Sequence, residues 1–188
     1  MKERLGPKDI FFPIPASLIV SGAKNELNIA TVAWIGIMGS NPPTIAISLE
    51  QSRYTLKLIK KYSEFSVNIP TVKSMAEADY CGLVTGENEN KFDKSKFTPI
   101  PASIIGTPII EECPYNIECI VNKIFSVNNW NIVIGEIVET HIDDDKCENG
   151  SIDIAKVDPL VYCSTIREYW SIGNKIGDGF SEGLKLLK

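Results

Sequence analysis

The chain has 188 residues, 44% of them apolar and 23% charged, with a net charge of −5 and a pI near 5.0. That is one domain's worth of sequence with enough apolar side chains for a sizeable core, and it is not the composition of a disordered chain. The acidic balance argues against a nucleic-acid surface, which carries an excess of Lys and Arg, and no run nears the roughly 20 apolar residues of a membrane-spanning helix.

Elements follow in chain order from pattern and turn signals. The opening MKERLGPKDIFFPIPASLIVSG puts charge ahead of apolar residues, but Pro13 and Pro15 interrupt the run that a signal peptide needs. Ser17 to Ser21 reads as a strand, ended by turn residues from Gly22 to Glu26. Asn28 to Ile37 reads as one further strand, stopped by Gly39-Ser40-Asn41-Pro42-Pro43, and Thr44 to Leu49 as a third. A helix is predicted over Leu56 to Tyr62. Phe65 to Ile69 alternates apolar and polar residues and closes at Pro70. Ser74 to Tyr80 reads as a short helix, and Gly82 onward as a loop that ends in Lys91-Phe92. Ile117 to Phe125 and Asn131 to Thr140 form a long antiparallel pair turning near Asn128-Asn129. Asp143 to Lys146 reads as a solvated hairpin tip, Asn149-Gly150-Ser151 as a tight turn, and Leu160 to Tyr162 as a late strand. The tail with Gly173, Gly177, Gly179 and Gly183 lacks a dinucleotide fingerprint and reads as a loop that covers something. Many short strands with few helices suggest a mainly β protein, a closed barrel with helical insertions.

The five cysteines, Cys81, Cys113, Cys119, Cys147 and Cys163, are odd in number, widely spread and free of CxxC. They are expected to be reduced thiols in a cytoplasmic protein. His141 is the single histidine, so a zinc site is not expected. It follows an apolar strand and is expected at the surface. No Gly-x-Ser-x-Gly elbow supports a hydrolase.

Three stretches have the residue types for ligand chemistry. In Ser52-Arg53-Tyr54-Thr55 a strand hands over to a helix through hydroxyls and an arginine. The first turn of a helix leaves backbone N–H groups unpaired and favours an anion, and an arginine fork suits phosphate. An ordinary helix cap beside a surface arginine explains the same residues. Lys91 is a basic residue at a loop end, with a solvated lysine as the plain alternative. Asn28 to Trp34 places small residues and one tryptophan on a strand, where a flat ligand can approach the backbone and an indole can stack on it. A core tryptophan is the competing reading.

Taken together and in order, these stretches resemble the flavin reductase-like family, in its flavoredoxin branch. The pieces are Asn28 to Trp34, Asn41-Pro42-Pro43, Ser48-Leu49, Ser52 to Thr55, Glu64 to Pro70, Asp79-Tyr80-Cys81-Gly82 with Lys91-Phe92, Ile117-Glu118-Cys119 and Ile134-Gly135-Glu136. The resemblance implies an FMN-binding split β-barrel of Greek-key type that forms a homodimer. It implies one domain over residues 1–188, with a core of about 12–173 and a C-terminal tail of 174–188. By the same resemblance Ser52, Arg53 and Thr55 would hold the FMN phosphate, with Lys91 as a second cation. Asn28 and Thr31 would hydrogen-bond the flavin or its ribityl chain, and Trp34 would lie beside the isoalloxazine. Backbone groups at Ala33, Ser48, Leu49 and Asn68 would meet the ring edge, with Val32 and Tyr54 beside them in the same stretches. Family members often have a histidine in a Gly-Asp-His context just before the Ile-Gly-Glu stretch. Here that place reads Asn128-Asn129-Trp130, and Trp130 would stack near the flavin or at the dimer contact.

The implied function is a redox flavoprotein, a flavin reductase passing electrons from NAD(P)H through FMN to a flavin, protein or metal acceptor. Two alternatives stand beside it: a flavoredoxin-type electron carrier without nicotinamide turnover, and a non-redox binding module. No side chain is required as a catalytic acid or base, and no metal, nucleic-acid or membrane partner is implied.

Overall fold

A computed structural model describes residues 1–164 and 166–187, and its centre is a seven-stranded antiparallel sheet. The strands are β1 (Ser17–Ala23), β2 (Glu26–Val32), β3 (Ile35–Ser40), β4 (Pro43–Glu50), β5 (Glu64–Ile69), β6 (Tyr115–Val127) and β7 (Trp130–Ile142). Their order across the sheet is β2-β1-β5-β6-β7-β4-β3. Two consecutive strands, β2 and β3, are therefore its opposite edges, and the chain crosses between them at Ala33–Trp34. Asn28 to Ile37 is thus two strands, not the single one expected. Ile35 N–H donates to Ala33 O at 3.1 Å and Ser48 N–H to Trp34 O at 2.9 Å, which turns the chain there. No ladder joins β2 to β3, so the barrel is split along this seam rather than closed.

Side chains alternate across a strand, and here both faces of β1 are covered. Ile19 points into the barrel with Ile47, Phe65, Val67, Cys119 and Val133. Leu18 and Val20 point outward into a second apolar cluster with Ile29, Ala78, Phe92 and Ile110. Gly135 lies at a register shift in β7. A Cβ there would meet Phe65 Cζ at 2.7 Å, so the core leaves room for glycine alone.

Helix α1 (Tyr54–Tyr62) caps the barrel with Leu56 and Ile59 and begins two residues before the expected start. Helix α2 (Met75–Leu83) follows a 3-10 turn at Val72–Ser74. A third helix, α3 (Lys91–Ser95), stands where a loop end was expected. Asn90 caps it by accepting from Phe92 N–H at 3.3 Å, a signal that a cap-first reading of the loop would have found. Phe92 anchors its buried face.

Segments near the two ends of the domain pair with each other. Ile14–Pro15 pairs with Val161–Cys163, which pairs with Glu168–Trp170. Asn149 and Gly150 take positive φ between Cys147–Glu148 and Ser151–Ile152, the expected tight turn. His141 is a correction: it is only partly exposed, and its Nε2 lies 2.6 Å from Oε1 of the buried Glu118. The tail from Gly173 is largely exposed and covers no cavity among the described residues. The five cysteines are free. Among the described residues no helix is long and apolar enough to cross a membrane, and no group of side chains is arranged to hold a metal ion.

Candidate functional site

A cavity of about 750 Å³ opens at the seam, bounded by β2, the Ala33–Trp34 crossing, the end of β4, the start of α1 and the segment after α2. Asn28, Thr31, Val32, Ala33 and Trp34 reach it from β2 and the crossing. Ser48 and Leu49 reach it from β4, and Ser52, Arg53, Tyr54 and Thr55 from the turn into α1. Lys91 and Trp130 complete the set. Asn68 is the exception. It is fully buried away from the cavity, where Ile110 N–H and Asn116 Nδ2 donate to its Oδ1 and its Nδ2 donates to Leu18 O and Ser66 Oγ. Its side-chain polar capacity is spent on the fold, and the structure places Asn68 outside the lining of this cavity.

One end of the cavity is cationic. The turn Glu50 to Arg53, closed by Arg53 N–H to Glu50 O at 3.0 Å, delivers the chain into α1. No side chain caps that helix and its first turn has no acidic residue; Leu56 N–H turns back to Arg53 O at 3.0 Å, which leaves the N–H groups of Tyr54 and Thr55 for a ligand. Arg53 lies half exposed there, with Glu50 Oε2 3.8 Å from its Nε. Thr55 Oγ1 accepts from Asn28 Nδ2 at 2.8 Å, which leaves the Thr55 hydroxyl proton free to donate elsewhere. Asn28 Oδ1 is buried and has no partner. Lys91 is 4% exposed, and its ammonium donates to Cys81 O at 2.8 Å. No carboxylate pairs with it among the described residues. Burial, with a smaller contribution from the Arg53 charge, lowers its pKa to about 8.

The other end is aromatic. Trp34 and Trp130 pack with ring centroids 4.3 Å apart and planes tilted by 53°. Trp130 opposes Glu50 and Val127 in the ladder, at the first residue of β7. Two predicted contacts are already taken within the protein. Ser48 N–H is held by Trp34 O, and the Thr31 hydroxyl donates to Ala78 O. The Thr31 hydroxyl keeps acceptor capacity only, whereas the Ser48 hydroxyl can still donate.

Several lining residues lie outside the sequence-based set. Val84, Thr85 and Gly86 wall the cationic end, and Gly86 is so close that a Cβ would sit 2.0 Å from Asn28 Oδ1. The glycine was visible in sequence, but nothing local said which backbone it approaches. Asp9, Tyr162, Ser164 and Arg167 close the cavity from the two chain ends. Their contribution depends on the Ile14–Pro15 pairing.

An unpaired buried acceptor, a buried unpaired ammonium, an arginine and an open helix start fit a ligand with a phosphate and nearby hydroxyls. The tryptophan pair fits a flat ring. A sequence model of the flavin reductase like domain matches residues 10–171. An uncharacterized protein of Archaeoglobus fulgidus is 32% identical over 136 residues, 72% of this chain and 76% of that protein. The flavoredoxin of Desulfovibrio vulgaris (Miyazaki F) is 34% identical, with a TM-score of 0.93 over 97% of this chain and 100% of its own. The flavoredoxin from Methanosarcina acetivorans is 29% identical, with a TM-score of 0.91 over 99% and 100%. Nitrilotriacetate monooxygenase component B from Bacillus cereus, 22% identical with a TM-score of 0.80 over 89% and 88%, shares the fold. The chain belongs to the flavin reductase-like family, in its flavoredoxin branch.

Proposed function

We propose that this family member is an FMN-dependent redox protein that takes electrons from NAD(P)H and passes them to a flavin, protein or metal acceptor. The observation that carries the flavin reading is Lys91. A buried ammonium without a carboxylate is costly, and a phosphate at the adjoining start of α1 offsets that cost. Ser52, Arg53, Thr55 and Lys91 would hold the phosphate, and Asn28 Oδ1 would accept from a ribityl hydroxyl. Trp34 and Trp130 would flank the ring and keep water from it. Bound FMN would supply hydride and single-electron chemistry. The chain's own groups bind, orient and shield, and none has to move a proton. A homodimer belongs to the same proposal, supported by Ile37 and Met38 exposed on the edge strand β3.

A second reading, an electron carrier without nicotinamide turnover, draws support from Trp130. An indole neither titrates nor accepts a hydrogen bond, and here it is packed on Trp34, at the place where the family resemblance implies a histidine. Purified protein should be yellow or take up FMN, and Arg53→Ala should weaken FMN binding by about 1.5–3 kcal/mol. Anaerobic NADH or NADPH bleaches the flavin band if the chain is a reductase. Bleaching by a reduced protein partner alone identifies the carrier. Protein that rejects added FMN defeats both readings.

A further inference from the structure

The tail from Gly173 makes no hydrogen bond or ion pair with the rest of the chain among the described residues. Lys175 pairs with Asp178 and Lys185 with Glu182, and the N–H groups of Ser181, Glu182, Leu184 and Leu187 donate to carbonyls of the tail itself. Ile176 and Phe180 are 102% and 104% exposed, as open as in an extended peptide, and Leu184, Leu186 and Leu187 are exposed as well. The one regular element, a 3-10 turn over Glu182–Leu186, is too short to hold itself in water. With its described charges paired internally, what the tail offers a neighbour is apolar. A tail meant to stay disordered has the opposite composition, charged and poor in large apolar residues. Superposition on the two flavoredoxins covers 97% and 99% of this chain, so most of the tail has a counterpart in both. A segment unattached to its own chain keeps a course shared with relatives only when something outside the chain fixes it.

We propose that a second copy of the chain fixes it: the tail is an arm that crosses to the outer face of the other copy's sheet and buries its apolar side chains there. The proposal rests on the homodimer of the reading above and adds what joins the two copies. The sheet supplies a matching surface. Val133 points into the barrel, so Ile132 and Ile134 beside it in β7 point outward. Ile132 opposes Phe125 and Trp130 opposes Val127, which puts Phe125 and Val127 of β6 on that same outer face, both exposed. An apolar arm and an apolar face of one chain thus both lack a cover. In a two-fold dimer each arm meets the other copy's face, and both are covered at once.

Sedimentation velocity of two full-length variants over a range of concentrations tests this. The arm variant carries Ile176→Ser, Phe180→Ser, Leu184→Ser and Leu187→Ser, and the face variant Phe125→Ser and Val127→Ser. The native chain is expected to dimerise, and each variant should raise the dimer dissociation constant at least about a hundredfold, with its circular dichroism unchanged. A mixture of the two should dimerise more tightly than either alone, because the arm variant keeps a native face and the face variant a native arm. Amide hydrogen exchange is a second readout that needs no variant: tail amides should exchange slowly in the native dimer and fast after dilution to monomer. An arm variant that dimerises as the native chain does, a mixture of folded variants no tighter than its components, or tail amides equally fast in dimer and monomer overturns the proposal and leaves the homodimer standing. A native chain that stays monomeric removes the homodimer, and the arm with it, while the flavin reading is untouched.

Discussion

Lys91→Met should weaken binding while leaving stability equal or higher. The ordinary lysine pKa is 10.5 and that of Lys91 is about 8. A depression of roughly 2.5 units corresponds to about 3 kcal/mol of unfavourable burial of the charged form below pH 8. Methionine keeps an unbranched side chain, one atom shorter, and removes that charge. It also loses the charged hydrogen bond to Cys81 O at 2.8 Å, worth about 1.5–3 kcal/mol. The ligand-free variant should thus be as stable as the native chain or more stable, by up to about 1.5 kcal/mol, at pH 7. Between pH 8 and 10.5 the unfolded chain holds more protons at this lysine than the folded one. The native chain therefore gains stability there as pH rises, and its deficit against the variant shrinks. Buried thiols work the other way: burial raises Cys81 to about 11 and Cys119 to about 12, so stability is lost above pH 9. Both proteins carry them, and the difference between their curves isolates Lys91. Urea denaturation from pH 7 to 9.5 measures that difference, and FMN titration should show affinity lower by about 1.5–3 kcal/mol. A variant less stable than the native chain at pH 7, or a difference independent of pH, would refute the account of Lys91 as a cation held at a cost for an anion.

Two further outcomes follow from close contacts elsewhere. Gly86→Ala puts a methyl 2.0 Å from Asn28 Oδ1 and 3.1 Å from the Tyr54 ring. The exposed segment after α2 should shift to relieve it, costing less than about 1 kcal/mol of stability by calorimetry, while FMN affinity drops at least about tenfold, roughly 1.4 kcal/mol. Glu118 is fully buried in β6 and accepts from Ser103, Ile104 and Ile105 N–H at 2.7, 2.8 and 3.0 Å, with His141 at 2.6 Å. Burial opposes its ionisation, but these hydrogen bonds outweigh it and hold the carboxyl below its ordinary 4.5. Its contribution is present above that value and is lost as pH falls through the lower folded one. Glu118→Gln should cost about 2–3 kcal/mol at pH 7 and progressively less in acid. A cost that stays constant down to pH 3 in denaturant titrations would contradict this.

Much of the sheet was legible because its signals are local. Alternation and the Asn128-Asn129 turn placed β6 and β7, and Pro70 marked the end of β5. The break at Ala33–Trp34 was not legible. No proline or turn cluster lies there, and the chain changes direction because Trp34 O is taken by Ser48 N–H across the seam. Asn68 illustrates the converse difficulty. The resemblance implied a ligand contact from its backbone, and the structure shows its side chain satisfying four groups, from β1, β5, the segment leading into β6 and β6 itself.

The sequence by itself determined the residue types of the site: hydroxyls and an arginine before a helix, a lysine beside a phenylalanine, and small residues ahead of a tryptophan. Helix-start chemistry and side-chain charge are properties of short segments, so short segments reveal them. The tertiary structure alone decided that these segments share one cavity, that Lys91 is buried and unpaired within it, and that Gly86 presses on Asn28. Those facts depend on which strands are sheet neighbours, on α2 and α3 packing over β1 and β2, and on the dielectric that this packing creates around a charge. Segments far apart along the chain meet there, and no local pattern records their meeting.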